Sequence, residues 1–160
     1  MTMIQKILVP IDFSDASKEA AEQAMELCKA FNAELRLVHV RDLSGLVIYG
    51  EDSLWPGRNL EQKTNDTARK EMDKYIQELK APVKVTSVVV STNRSVPQMI
   101  CDEADDSGAD WIVMSTHGRT GIDRFVMGSV AERVVRNALC PVLTVRWHKF
   151  QVHNAEKEAA

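Results

Sequence analysis

The chain of 160 residues predicts an α/β fold: an open five-stranded parallel sheet with helices on both faces. Three observations predict it. Short apolar runs alternate with amphipathic segments of helical period from end to end. The first run, Lys6 to Ile11, is almost continuously apolar, as expected of a central parallel strand covered on both faces. No internal repeat or second domain is visible, so residues 1–146 read as one domain followed by a polar tail, Trp147 to Ala160. Strict alternation implies right-handed crossovers. The strand order we assign is 3-2-1-4-5, a Rossmann-like arrangement in which strands one and four are central neighbours.

Each element has its own signal. Asp12-Phe13-Ser14-Asp15 breaks the first strand, and Ser14 or Asp15 can cap a helix from about Ala16 to Phe31. Ala20, Ala24, Leu27, Cys28 and Phe31 form its apolar stripe at steps of three and four. Glu34 to Val40 is the second strand, and a long connection, Arg41 to about Gly57, follows it. Asn59 to Leu79 reads as a helix with Ala68, Met72, Tyr75, Ile76 and Leu79 on one face. Val83 to Ser91 is the third strand. Ser95-Val96-Pro97 opens a helix to Ser107 that carries Met99, Ile100 and Ala104. Trp111 to Thr116 is the fourth strand, Val130 to Ala138 the last helix, and Val142 to Arg146 the fifth strand.

Composition narrows the function classes. Net charge is −3, and no Lys/Arg run supplies the stripe that nucleic acid needs, so we expect no nucleic-acid partner. No apolar run approaches the roughly 20 residues that span a bilayer. The start, Met-Thr-Met-Ile-Gln-Lys, has no charged-then-apolar leader, so we expect a cytoplasmic protein without a membrane partner. Cys28, Cys101 and Cys140 are odd in number and widely separated, which reads as buried free thiols.

The chemistry concentrates between Ser115 and Ser129: three glycines, two arginines and a histidine between a strand and a helix N-terminus. Converging backbone amides and the helix macrodipole suit such a turn to phosphate. In an open parallel sheet, ligands bind beyond the carboxyl ends of the strands where the strand order reverses. Three segments leave strands there: Pro10-Ile11-Asp12, His39-Val40-Arg41 and Ser115 to Gly118. The P-loop pattern, the Gly-x-Gly-x-x-Gly dinucleotide pattern and the Gly-x-Ser-x-Gly elbow are all absent. Ser91-Thr92-Asn93 holds no phosphoacceptor Asp, and the acidic turn after strand one would repel a flavin phosphate.

Across residues 4–146 the chain resembles the universal stress protein (UspA-like) family. The matching stretches are Lys6 to Ser14, Leu37 to Val40, Asp110 to Gly121 and Gly128 to Val134, continuing to Val145. The family's ATP-binding branch carries Gly-x2-Gly-x9-Gly-Ser/Thr. Here Gly118, nine intervening residues and Gly128-Ser129 complete the long half, while Ser115 stands at the first glycine. The resemblance implies a site for ATP, or for AMP or ADP, formed by Pro10, Ile11, Asp12, Val40, Met114, Ser115, His117, Gly118, Arg119, Gly128, Ser129 and Val130. Val40 and Met114 would flank adenine, and Asp12 would accept hydrogen bonds from the adenosine portion. Backbone amides around His117, Gly118, Gly128, Ser129 and Val130 would hold phosphates, whose charge implies Mg²⁺. The resemblance also implies a homodimer through strand 142–146, an edge strand that invites pairing.

Plainer readings accompany these. Ser129 and Glu132 match a Ser-x-x-Glu capping box, Gly128 can simply end a loop, and His117 can face solvent. His39, mid-strand among apolar residues, reads as a core histidine rather than a ligand. The Arg41 to Gly57 connection reads equally as a lid, a partner surface or a plain excursion. The resemblance implies a stress-response sensor, and because no lysine and no obvious pair of metal carboxylates beyond Asp12 and Asp123 accompany the loop, we expect little or no hydrolysis.

Overall fold

Ile7, Leu8 and Val9 are fully buried, on alternate faces of the strand they form, so that strand lies in the middle of the sheet. Burying side chains of this size stabilises the fold by roughly 1.5–3 kcal/mol each. The computed structural model describes residues 3–44, 57–117 and 127–146, with side chains described from residue 64 onward in the second helix. Its elements are β1 (Lys6–Pro10), α1 (Asp15–Phe31), β2 (Glu34–Asp42), α2 (Gly57–Leu79), β3 (Val85–Thr92), α3 (Val96–Ser107), β4 (Trp111–Ser115), α4 (Ser129–Asn137) and β5 (Val142–Val145). All four strand pairings are parallel, in the order β3-β2-β1-β4-β5. The strand order read from the sequence is the one observed.

Several boundaries differ by one or two residues. Strand β1 stops at Pro10, although the Ile11 amide still donates to the Val38 carbonyl at 2.8 Å. Strand β2 runs on to Asp42 because β3 continues to Thr92 beside it, and the Leu43 amide bonds the Thr92 carbonyl. Strand β3 starts at Val85 rather than Val83, and helix α2 starts at Gly57 rather than Asn59. Strands β4 and β5 end one residue early, at Ser115 and Val145. Helix α4 lies one residue earlier than expected at each end.

Alternation along the strands divides the core into two layers. Ile7, Val9, Leu35, Leu37 and Val113 face α1 and α2, whereas Leu8, Val38, Ile112 and Met114 face α3 and α4. Helix α1 meets the sheet through Ala20, Ala21, Ala24 and Cys28, all fully buried and small enough for close approach. Phe31 departs from the expected stripe: it is 44% exposed and packs edge-on against Trp111. On α2, Ala68, Met72 and Leu79 are buried as the pattern requires, and Tyr75 and Ile76 pack partly buried against the same core. On α3, Pro97, Ile100, Cys101 and Ala104 are buried.

Local chemistry starts and stops the helices. Ser14 caps α1, its hydroxyl accepting from the Ser17 amide at 3.2 Å. Helix α3 ends on Gly108 at φ 65°, whose amide bonds the Ala104 and Asp105 carbonyls in the left-handed geometry that favours glycine. Ser95 sits at the N-cap of α3 without a side-chain cap bond. Across the layers, Arg36 of β2 binds Glu103 of α3 through Nε and Nη2, at 3.0 and 2.8 Å.

The thiols are free. Cys28 and Cys101 are buried as expected, while Cys140 is only half-buried. Burial pushes the Cys28 thiol up to about 11, away from thiolate chemistry. No helix among the described residues is long and apolar enough to cross a membrane.

Candidate functional site

Beyond the carboxyl ends of β1, β2 and β4, between α3 and the start of α4, lies a cleft of about 280 Å³. Its volume is near the lower bound of small-molecule sites, roughly 300–1,000 Å³. The cleft follows from the topology. β1 and β4 are adjacent, but the chain leaves β1 toward one face and β4 toward the other, which opens a crevice between them.

Ten of the twelve residues singled out from the sequence line this cleft: Pro10, Ile11, Asp12, Val40, Met114, Ser115, His117, Gly128, Ser129 and Val130. Gly118 and Arg119 lie outside the described residues, as do Asp123, Arg124 and residues 45–56, on which the lid reading falls. Ser17, Val38, Val96, Ile100, Thr116 and Ala131 complete the described lining. Most of these were missed because a residue such as Ile100 belongs to a helical stripe that reads as core. Ser17 had a signal, since Asp12, Ser14 and Ser17 form a Ser/Asp-rich entry to α1. It is 2% exposed, and its hydroxyl donates to the Ser14 carbonyl at 2.9 Å.

Asp12 is the one carboxylate among the described lining residues. Its Oδ1 accepts from the Ser14 amide at 3.0 Å and from the Ser14 hydroxyl, which sets the carboxylate against the start of α1. Val38, Val40, Val96, Ile100 and Met114 give the cleft an apolar side, and Thr116, His117 and Gly128 to Ala131 line it as well.

Gly128 is required by close approach. Its φ is −62°, which any residue adopts, but a Cβ there would lie 3.0 Å from the Thr116 carbonyl oxygen. That oxygen accepts the Gly128 amide at 2.8 Å and so closes the base of the loop. One sequence reading is corrected here, that of the helix cap. Ser129 is not the cap: Gly128 occupies the N-cap without a side-chain bond, and Glu132 pairs with Arg136 at 2.8 Å instead of reaching back. The first helical bond runs from the Glu132 amide to the Gly128 carbonyl, so the amides of Ser129, Val130 and Ala131 precede it at the positive end of the helix.

Ser115, at the first glycine position of the motif, donates its hydroxyl to the His117 carbonyl at 2.7 Å. The hydroxyl therefore braces the turn. His117 does not simply face solvent: its Nδ1 lies 2.9 Å from Thr116 Oγ1, and its Nε2 is buried without a hydrogen-bond partner among the described residues. The Thr116 amide bonds the Val145 carbonyl of β5 at 3.0 Å, so the loop departs from a fixed point. His39 is a satisfied core histidine, with Nδ1 2.7 Å from the Ile11 carbonyl.

Comparison with known proteins agrees with this fold. The model of the universal stress protein family matches residues 3–146. Universal stress protein MJ0531 of Methanocaldococcus jannaschii is 35% identical over 147 residues, covering 90% of this chain and 83% of that protein. The solved structure of MJ0577, from the same organism, superposes with a TM-score of 0.71 at 29% identity and covers 92% of this chain and 99% of the other. A universal stress protein solved in complex with cAMP shares the fold at 21% identity, with a TM-score of 0.63 and coverage of 91% and 98%. This chain belongs to the universal stress protein family.

Proposed function

We propose that the cleft binds an adenine nucleotide, ATP or its mono- or diphosphate, and that the protein acts as a cytoplasmic stress-response sensor with little or no hydrolysis. One observation carries the reading: the apolar side chains of Val38, Val40, Val96, Ile100 and Met114 line the same cleft of about 280 Å³ as Asp12 and the first residues of α4. Adenine would sit between Val40 and Met114, and Asp12 would accept from the adenosine hydroxyls. The anionic chain would lie against the amides of Ser129, Val130 and Ala131. A Cβ at Gly128 would press on the Thr116 carbonyl at 3.0 Å, so glycine suits the start of this helix. The shared fold of a family member solved with cAMP supports an adenylate as occupant.

Mg²⁺ would enter with the phosphates. The described residues contain no group of three or more ligating side chains, and Mg²⁺ is commonly held by one or two carboxylates plus phosphate oxygens. Gly118 and Arg119 remain proposed phosphate neighbours from the sequence.

Assembly through β5 is part of the same proposal. It ends the sheet, and Leu143 on it is 40% exposed. An unpaired strand edge that carries an exposed apolar side chain suits a second copy. Sedimentation should give a dimer at micromolar concentration, and a stable monomer would refute the pairing.

To test the nucleotide reading, the purified protein is denatured and the released small molecules are analysed. Adenine nucleotide near one per chain is the expected result. Its absence, with no calorimetric binding of ATP in Mg²⁺, would favour a dimeric interaction protein of the same family that binds no nucleotide. Steady-state turnover of about 1 s⁻¹ or more would instead mark an ATPase.

A further inference from the structure

The turn that presents Asp12 contains a backbone outlier. Phe13 lies at φ 62°, in the left-handed region that disfavours every residue with a Cβ. Glycine would occupy this position without strain, so the presence of a phenylalanine asks what its ring does. The ring packs on His39, with centroids 4.6 Å apart at 43°, and Tyr75 of α2 meets it edge-on at 6.1 Å and 71°. His39 in turn holds the peptide that leads into Asp12. A carbonyl only accepts, so His39 Nδ1 carries the proton and donates to Ile11 O at 2.7 Å. The Ile11 amide donates to Val38 O at 2.8 Å, so this residue is tied to β2 on both sides. Downstream, the Ser14 amide bonds the Asp12 carboxylate at 3.0 Å. These contacts approach from the α1/α2 face of the sheet, opposite the cleft that Asp12 lines.

We propose that Phe13 is a positioning residue for the ligand site: its ring, held between His39 and Tyr75, fixes the turn that aims Asp12 into the cleft. Phe13 touches no ligand in this account. It acts through Asp12. This inference rests on the nucleotide reading above.

The test is a double-mutant cycle read by calorimetric titration with Mg²⁺-ATP. Wild type, Asp12→Asn, Phe13→Gly and the double variant are compared, with thermal unfolding recorded for each. Phe13→Gly should weaken ATP binding about tenfold in the wild-type background and less than about twofold once Asp12 is replaced. Its effect on thermal stability should be the same in both backgrounds, which separates positioning from general loosening. His39→Phe keeps an aromatic face but loses the bond to Ile11, and should show the same dependence on Asp12. If Phe13→Gly fails to fold, Phe13→Leu, which removes the ring and keeps an apolar side chain, carries the same cycle and should show the same dependence on Asp12. Equal losses of affinity in both backgrounds, or no loss in either, would overturn the proposal while leaving the nucleotide reading intact. A wild-type protein that takes up no Mg²⁺-ATP would overturn both.

Discussion

At the carboxyl ends of the central strands the two faces of the sheet finish differently. On the α1/α2 face, Phe13, His39 and Tyr75 fill the last layer with rings. On the α3/α4 face, the corresponding layer is made of Val40, Val96, Met114 and Val130, and a cleft of about 280 Å³ remains. Both faces are built on the same strands, and alternation sends the adjacent residues His39 and Val40 to opposite sides. Whether a strand end becomes core or site is thus decided by side-chain bulk in that last layer.

The largest expected effect probes that contrast. Leu37 is fully buried on the sealed face, and Leu37→Ala should cost about 3 kcal/mol of unfolding free energy by denaturant titration. Val40→Ala borders open space already and should cost about 1 kcal/mol or less. Equal losses would mean that the cleft is packed as tightly as the core. Next is Gly128→Val, which places a branched side chain where even a Cβ meets the Thr116 carbonyl at 3.0 Å. It should weaken ATP binding by about 100-fold or more with far-UV circular dichroism unchanged, a loss of ~3 kcal/mol in binding.

Ser115→Ala removes the hydroxyl bond to the His117 carbonyl and should cost about 1 kcal/mol of stability. Ser115→Gly should leave nucleotide affinity unchanged or raised, since the hydroxyl turns to the backbone; a marked loss of affinity would make Ser115 a ligand contact. The smallest effect lies away from the cleft. Lys84 at 2.7 Å and the Thr86 hydroxyl hold the Glu34 carboxyl below its ordinary value of 4.5. A depressed carboxylate contributes stability above its unfolded pKa and loses it as pH falls through the folded one. Glu34→Gln should therefore be less stable than wild type at neutral pH, and the difference should shrink below pH 4.5. A difference constant down to pH 3 would exclude this linkage.

Much of this architecture was legible in the residues. Strand–helix alternation and the apolar run at Ile7 to Val9 predicted the parallel sheet, because burial on both faces leaves few other sequences possible. The cleft was legible where a motif marks it, at Gly128-Ser129 and at Asp12. It was illegible where the lining belongs to helix stripes: Val96 and Ile100 carry the same apolar signal whether they face core or cavity. The cap of α4 was misread for a related reason. Ser-x-x-Glu spacing does not reveal that Thr116, twelve residues upstream, takes the Gly128 amide and fixes where the helix begins. Phe13 gave no warning at all, since a left-handed backbone is signalled by glycine or asparagine and seldom by an aromatic residue.

Under the proposed function the open face binds adenylate and the sealed face does not. Backbone amide NMR during titration with Mg²⁺-ATP tests it most directly. Saturable shifts should concentrate at Asp12, Val40, Ser115, Ser129 and Val130, while buried amides of the opposite layer, such as those of Ala24 and Leu35, stay in place. No saturable shift at the cleft, or shifts spread evenly over both faces, would contradict it.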